Sequence, residues 1–512
     1  MNLPDDPTDN PPENTAPTPA ISLLYKWLLM AVLLAASITV VIAAAKVTIT
    51  YLNYAAFAVA LQNGDIDTVK KLLKQEVDPN AKMPQQGQEM PYLHYATYKG
   101  NTGIVKLLLD HGADLDTPGT DGRSPLERAI ADNKSDIAQL FLKNGAKISK
   151  PEPNKPSLLH LASKHNDVAT VKLLLDHKMD VEAPFPNGEK LLNYAINTNR
   201  KELSKLFIKR GAKYKKFLTK TLKTEDTKTL AKLLDGGVPV TTKIEKQPLI
   251  EWAVRKALAK SIVVLIKKGA NPNAVASEGQ SLLALAVALD LPKVVAALVD
   301  NGAKINKKVT TPVSKKFVKL FNFKYQRFFL TKDRGLTPIM LAILRQREDI
   351  VKVLLARKAH LNTPTKKHGV WPVGLAANKQ PPDISMMQVL LGRDPAPEKQ
   401  IRHIKISLRR QIAKLYVNDK LKFKTRVSTG KKGYRTPPGK YVITNKYRKW
   451  TSTIYKVPMP YFMRLNASSI GLHQGAVPRY PASHGCIRVP KGNAARLFRL
   501  SRVGDLVTIE KK

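Results

Sequence analysis

Residues 52–395 repeat themselves. The segment MPYLHYATYKGNTGIVKLLLDHGADLDT at 90–117 is followed by SPLERAIADNKSDIAQLFLKNGAKIS at 124–149. Next come PSLLHLASKHNDVATVKLLLDHKMDVEA at 156–183 and KLLNYAINTNRKELSKLFIKRGAKY at 190–214. Gly112, Gly145 and Gly211 mark one recurring turn at differences of 33 and twice 33, and Gly269 and Gly302 are again 33 apart. An apolar seam such as Leu93, Ala96, Val105 and Leu108 falls on one side of two short antiparallel helices. The glycine stops the second helix in a left-handed turn. One helix pair cannot bury its own seam, so pairs must stack into a solenoid.

The unit carries Leu-His-x-x-Ala early and Leu-Leu-x-x-Gly-Ala-Asp late, a pattern that resembles the ankyrin repeat. About ten units fit between residues 52 and 395, the one near 216–240 short and irregular. The resemblance implies a surface for an unidentified protein partner, not chemistry. His94, His160 and Trp371 sit at pattern positions and are expected to pack or hydrogen-bond within the stack. From Gly302 to Lys358, the equivalent turn, the interval is 56 residues instead of 33, which places an insertion near 307–334. Its stretch VSKKFVKLFNFKYQRFFLTKDR interleaves Phe317, Leu320, Phe321, Phe328 and Phe329 with lysines and Arg327. Such an insert can touch membrane, glycan or nucleic acid; packing back on the solenoid is the favoured expectation.

Residues 1–25 hold six prolines, four acidic residues and no Lys or Arg, the composition of a disordered tail. WLLMAVLLAASITVVIAAA, 27–45, follows between Lys26 and Lys46. As a helix these uncharged residues rise about 28 Å, near the ~30 Å of a bilayer's hydrocarbon. Residues 26–46 are therefore expected to be a transmembrane anchor. Ala43-Ala44-Ala45 leaves a cleaved signal as the alternative, against which the long acidic lead argues.

Lys+Arg 85 against Asp+Glu 40 gives a net charge of +45. Such a surface attracts polyanions: nucleic acid, anionic lipid or an anionic wall polymer. About half of the excess lies in residues 401–512, with 26 Lys+Arg and 3 Asp+Glu. Here the repeat disappears. ISLRRQIAKLYVNDKLKFKTRVST, 406–429, alternates as strands do around Asn418-Asp419, and YVIT (441–444) and LVTIE (506–510) read as further strands. A short helix is expected near 492–500.

Within this domain PASHGCIRVP, 481–490, holds Cys486, the only cysteine of the chain. A thiol attacks only as thiolate, so it needs a base or a positive environment. His484 lies two residues away, on the same face of a strand but poorly placed for a linear hydrogen bond. His473, from GLHQG (471–475), can face the thiol from another segment. His473 is therefore the expected base, with His484 supporting. Arg488 shares the face of Cys486, where a guanidinium favours the thiolate and holds a carboxylate in bidentate fashion. Gly485 permits close backbone approach, and amides near Cys486 can form an oxyanion hole. Two histidines and a cysteine lack the fourth ligand of a structural zinc site, so no metal is expected. No cofactor is implied.

STGKKGYRTPPGKYVIT (428–444), MPYFMRL (459–465), GLHQG (471–475) and SHGCIRV (483–489) occur in the order found in the L,D-transpeptidase catalytic domain. Residues 403–511 resemble that family. The resemblance implies a β-rich fold and a cysteine acyl-enzyme acting on the stem tetrapeptide of peptidoglycan. In that role Cys486 matches the nucleophile, His473 the base, Ser483, His484 and Gly485 the supporting motif, and Arg488 the substrate carboxylate contact. Ser483 is grouped with Arg488 on the substrate side. Arg488 stands where part of the family has Asn, and the short interval from His473 to Cys486 implies a reduced lid. The expected architecture is multidomain: one transmembrane helix, an all-α ankyrin solenoid and a mainly β catalytic domain. The substrate's location puts residues 1–25 in the cytoplasm and the remainder beyond the inner membrane in the periplasm, which excludes a nucleic-acid partner. Three activities follow: transpeptidation; an L,D-carboxypeptidase or amidase using water; or an ankyrin scaffold with a wall-gripping C-terminal domain.

Overall fold

The computed structural model describes residues 19–85, 88–149, 156–392 and 401–512. It comprises two compact units, Met1–Ala212 and Lys213–Lys512.

The first unit opens with helix α1, Pro19–Asn63. Proline is tolerated in a first turn because its missing N–H has no intrahelical partner there. Nothing in Ile21-Ser22-Leu23-Leu24 breaks a helix, so residues 19–25 belong to α1 and not to the acidic tail. The rest of that tail, residues 1–18, lies outside the described residues. The apolar stretch inside α1 is exposed, as at Leu28, Leu33 and Val41. Among the described residues α1 alone is long and apolar enough to cross a membrane. Its C-terminal part is a repeat helix: Phe57, Ala60 and Leu61 are buried, and the Phe57 ring lies 4.7 Å from that of Tyr92.

Four further helix pairs follow α1 and its partner helix Ile66–Lys74, beginning with Tyr92–Lys99 and Thr102–Asp110. Gly112 adopts φ +86°, and the next N–H, of Ala113, returns to Leu108 O at 2.9 Å. Ala146 and Ala212 make the same closure to Phe141 O and Phe207 O. This is why Gly-Ala recurs at the end of many units, as at 112–113, 145–146, 211–212, 269–270 and 302–303. His94 and His160 are buried, with Nε2 on the Thr117 and Ala183 carbonyls at 2.8 and 3.2 Å. Both are structural, as the pattern implied. Trp371, in contrast, stands 49% exposed before its helix.

The second unit begins with five more pairs. The first, Lys215–Lys223 and Thr227–Asp235, is regular, with Leu218, Leu222, Leu230 and Leu233 buried. The unit is short, as expected, with its turn glycines Gly211 and Gly237 26 residues apart instead of 33, but its helices are regular because the seam is intact even though the motif's polar positions are lost. The insertion forms two short helices, Lys315–Val318 and Lys324–Lys332. Phe317, Phe321 and Phe329 are buried, while Phe323 and Phe328 remain exposed. Gln326 Nε2 donates to Leu344 O and Arg345 Nη1 to Leu320 O, both at 2.7 Å. The insert is thus a packed part of the solenoid. Lys358 takes φ +62°, as Glu76 and Lys178 do at the same turn, where glycine stands in most other units.

The C-terminal domain is built on eight strands: β1 Arg402–Ser407, β2 Ile412–Val417, β3 Lys420–Arg426, β4 Gly439–Tyr447, β5 Phe462–Leu465, β6 Gly471–Gln474, β7 Ile487–Val489 and β8 Leu506–Glu510. Their order across the sheet is β7-β6-β5-β4-β8-β1-β2-β3. Asn418 and Asp419 both have positive φ, the two-residue turn that matches strand twist. One core takes Ile404 and Ile406 from β1, Leu415 from β2, Met463 and Leu465 from β5, Leu472 from β6 and Ile487 from β7. Both ends of the sheet feed that core, so the sheet folds over on itself. Helix α3, Asn493–Leu500, closes it through Ala494 and Leu497. The last repeat helix, α2 at Ile384–Leu390, packs on β4, and Gln388 Nε2 donates to Gly504 O at 3.2 Å.

Candidate active site

β6 and β7 run parallel, with Leu472 opposite Ile487 and His473 opposite Arg488. Leu472 and Ile487 are fully buried in the core. Side chains alternate along a strand, so His473 and Arg488 point to the other face. Cys486 directly precedes β7 and shares that face with Arg488. The sheet therefore brings together three expected site residues that are 13 and 2 positions apart, counting from Cys486.

Cys486 is half buried. Its Sγ donates to the Ser469 carbonyl at 3.6 Å, and the Gly471 backbone N–H is directed at the sulfur. Burial pushes the thiol pKa up; that hydrogen bond and the Arg488 charge pull the other way without cancelling it. Gly471 is required here: a Cβ would lie 2.4 Å from the Phe462 ring and 2.5 Å from Met463 O. His473 is 8% exposed, and its Nδ1 is 2.8 Å from Gln474 O. A carbonyl oxygen only accepts, so Nδ1 carries the proton and Nε2 of the neutral ring keeps its lone pair. Burial and then the Arg488 charge lower the pKa of His473, against that hydrogen bond. Both shifts favour the uncharged forms, a thiol at Cys486 and a neutral imidazole at His473.

The turn that presents the thiol is built from buried polar groups. Gly485 has φ +108°, a region a side chain rarely enters. Its carbonyl accepts from Thr436 Oγ1 at 2.8 Å, and Thr436 Oγ1 accepts from Gly430 N at 2.9 Å. Because a trans peptide sets C=O and N–H antiparallel, the Cys486 N–H points away from Thr436. Ser483 donates to the Cys486 carbonyl and accepts from Gly485 N at 3.2 Å. It is 1% exposed, so it holds the turn and does not face substrate, contrary to its expected place beside Arg488.

His484 is exposed, with its ring 4.7 Å from Tyr434 and 5.0 Å from Tyr455. Tyr455 belongs to the β4–β5 connection. The same connection forms a cleft of about 530 Å³ lined by Lys449, Trp450, Thr451, Pro458 and Pro460. It borders the strand of His473, since Gln474 N donates to Pro460 O at 2.8 Å. The Arg488 stem runs beside Gly475, where a Cβ would come within 3.1 Å of it. No carboxylate among the described residues pairs with Arg488. No group of three or more His, Cys, Asp or Glu among them is arranged to hold a metal. Thr436, Gly471 and Tyr455 escaped the sequence reading, although Thr436 and Gly471 lie within the quoted motifs.

This is a β-rich domain that follows a helical repeat array in the chain. Residues 401–509 match the profile of the L,D-transpeptidase catalytic domain. Residues 56–152 and 147–217 match that of three ankyrin repeats, and 334–366 that of one. No curated protein matches the chain. Among solved structures, it is similar to an L,D-transpeptidase from Mycobacterium smegmatis at 21% identity, covering 22% of this chain and 59% of that one, TM-score 0.21. An L,D-transpeptidase from Mycobacterium tuberculosis H37Rv matches at 20% identity over 22% and 58%, TM-score 0.21. One from Enterococcus faecium matches at 25% identity over 23% and 52%, TM-score 0.21. The chain thus spans about half to three fifths of the length of these relatives. The protein carries an L,D-transpeptidase catalytic domain preceded by ankyrin repeats.

Proposed function

We propose that the protein is a membrane-anchored periplasmic L,D-transpeptidase working through an acyl-enzyme on Cys486. The observation that carries this reading is the parallel β6–β7 pair, which sets His473 and Arg488 side by side next to Cys486. In this scheme the Arg488 guanidinium holds a carboxylate of a peptidoglycan stem tetrapeptide. His473 Nε2 takes the thiol proton as Sγ attacks the carbonyl of the third residue. It returns that proton to the nitrogen of the departing D-alanine as the C–N bond breaks. An amine then takes the acyl group, and thiol is regenerated. The Gly485 region positions the Cys486 amide for the oxyanion, and His484, held by Tyr434 and Tyr455, walls the approach. Helix α1 serves as the inner-membrane span, and the repeats bind a protein partner or hold the catalytic domain at a distance. The scheme needs no cofactor.

The test is intact-protein and product mass spectrometry of the full chain with a tetrapeptide muropeptide. A Cys486 adduct with loss of D-alanine is expected, absent in Cys486→Ala and reduced about 10²- to 10⁴-fold in rate in His473→Ala. Products with and without an added amine distinguish transfer from hydrolysis. A folded protein with neither adduct nor turnover would leave the domain a wall-gripping module.

A further inference from the structure

Five strands of the C-terminal sheet place one row of residues in register: Lys440 on β4, Thr508 on β8, Lys405 on β1, Lys414 on β2 and Lys424 on β3. Ile404, Ile406, Ala413, Leu415 and Phe423 alternate with these lysines and fill the core. The row therefore points outward, away from the core. His473 and Arg488 also point away from that core, on β6 and β7, and the chain running on from β3 meets β7 where Ser428 and Arg488 exchange backbone hydrogen bonds. The lysines thus lie outside the candidate active site, the nearest of them in sequence to that bridge, Lys424, four residues before Ser428. Lys405, Lys424 and Lys440 are exposed and Lys414 is half buried.

Neighbouring strands are about 4.8 Å apart. Lys405–Lys414 and Lys414–Lys424 are therefore two directly opposed like-charged pairs, each closer than the ~8 Å screening length of physiological salt. Directly opposed like charges destabilise a sheet. None of these lysines reaches a carboxylate among the described residues. The acid nearest in register is Glu510, paired with Ser407 at the end of β8. Lys405 Nζ lies 5.3 Å above the Tyr416 ring, which fixes the middle of the row. An extended comb of uncompensated ammonium groups, about 19 Å from first to last Cα at that spacing, complements a polymer bearing repeated carboxylates.

We infer that the Lys440–Lys405–Lys414–Lys424 row is a second docking surface for the carboxylate-bearing stems of the wall polymer, separate from the site that reacts with a stem. The inference rests on the proposed substrate and adds that the enzyme grips intact wall through a face that does no chemistry. The four groups act together through charge, so the grip is weakened by salt.

The test is co-sedimentation of the detergent-solubilised full chain with purified peptidoglycan sacculi, from low to high salt. Lys405→Gln, Lys414→Gln and Lys424→Gln are combined in one variant. Its binding is expected to fall roughly tenfold at low salt and to lose most of its salt dependence. D-alanine release from a soluble tetrapeptide muropeptide should be unchanged. The triple arginine variant, which keeps the charge, should bind as the native chain does and controls for misfolding. Unchanged sacculus binding by the glutamine variant overturns the inference. So does a loss confined to vesicles containing phosphatidylglycerol, which would assign the row to lipid. Lysine-dependent sacculus binding by a chain without muropeptide turnover would uphold the row while defeating the catalytic reading.

Discussion

Replacing Thr436 by valine tests how the reactive turn is held. The hydroxyl is 2% exposed and joins two backbone groups, accepting from Gly430 N at 2.9 Å and donating to Gly485 O at 2.8 Å. Valine keeps the shape and removes both bonds. Both partners stay buried, and a stranded buried polar group costs about 1–3 kcal/mol, so the substitution costs about 2–6 kcal/mol in total. If about 1.4 kcal/mol of this appears as misorientation of the Gly485–Cys486 peptide, the rate falls tenfold. The assay is kcat/KM for D-alanine release from a tetrapeptide muropeptide, with thermal unfolding followed in parallel. Thr436→Val is expected to lose at least about tenfold in kcat/KM and to unfold earlier, whereas Thr436→Ser, which retains the hydroxyl, recovers most of both. A valine variant that is destabilised yet fully active would refute the positioning role. A serine variant no better than valine would show that the hydroxyl is not the operative group.

The resting state is expected to be neutral at both Cys486 and His473. Alkylation of Cys486 by iodoacetamide without substrate should still be rising above about pH 8.5, the ordinary thiol value, because burial raises this thiol; a plateau reached by pH 6 would mean a preformed thiolate–imidazolium pair. The same burial lowers His473, which stays unprotonated, and so competent as a base, to lower pH than usual. The acid limb of kcat/KM should accordingly fall below about pH 6.5, and a limb above 7 would contradict it. Arg488→Lys keeps the charge but loses the bidentate fork, and should raise KM by about tenfold with a smaller change in kcat; an unchanged KM would remove Arg488 from the substrate carboxylate. In the insertion, Phe317→Ala should destabilise the repeats by about 3–5 kcal/mol, whereas Phe323→Ala stays within about 0.5 kcal/mol. Equal effects in urea unfolding would deny that the insert is packed.

Much of the architecture was legible because periodic features carry it. The Gly-Ala turns at 112–113 and 145–146 and the seam through Val105 and Leu108 recur at a fixed interval, so each copy corroborates the next. Even Lys358 was found at a glycine position from spacing alone, and it takes the left-handed conformation. The strand alternation around Asn418-Asp419 was equally readable. The roles of Thr436 and Ser483 were not. Each depends on hydrogen bonds between segments distant in sequence, as between Thr436 and Gly485, and a local pattern contains no trace of such a bond. Ser483 looked like a substrate contact because it neighbours the reactive residues, but its buried hydroxyl is spent within the turn. The extent of α1 was underestimated for a different reason. Composition marks where a chain is apolar, whereas a helix ends only where something stops it, and nothing does so before Asn63.

That continuity leaves no hinge between the exposed apolar stretch of α1 and the buried residues Phe57, Ala60 and Leu61. A flexible linker would let the two ends rotate independently. A single helix behaves as a drive shaft: each added or deleted residue turns one end against the other by about 100° and shifts it by about 1.5 Å. The length of the segment between them therefore sets an angle as well as a distance. Insertions of one or two residues there would re-aim the first repeat, while insertions of about seven, close to two full turns, would nearly restore its heading.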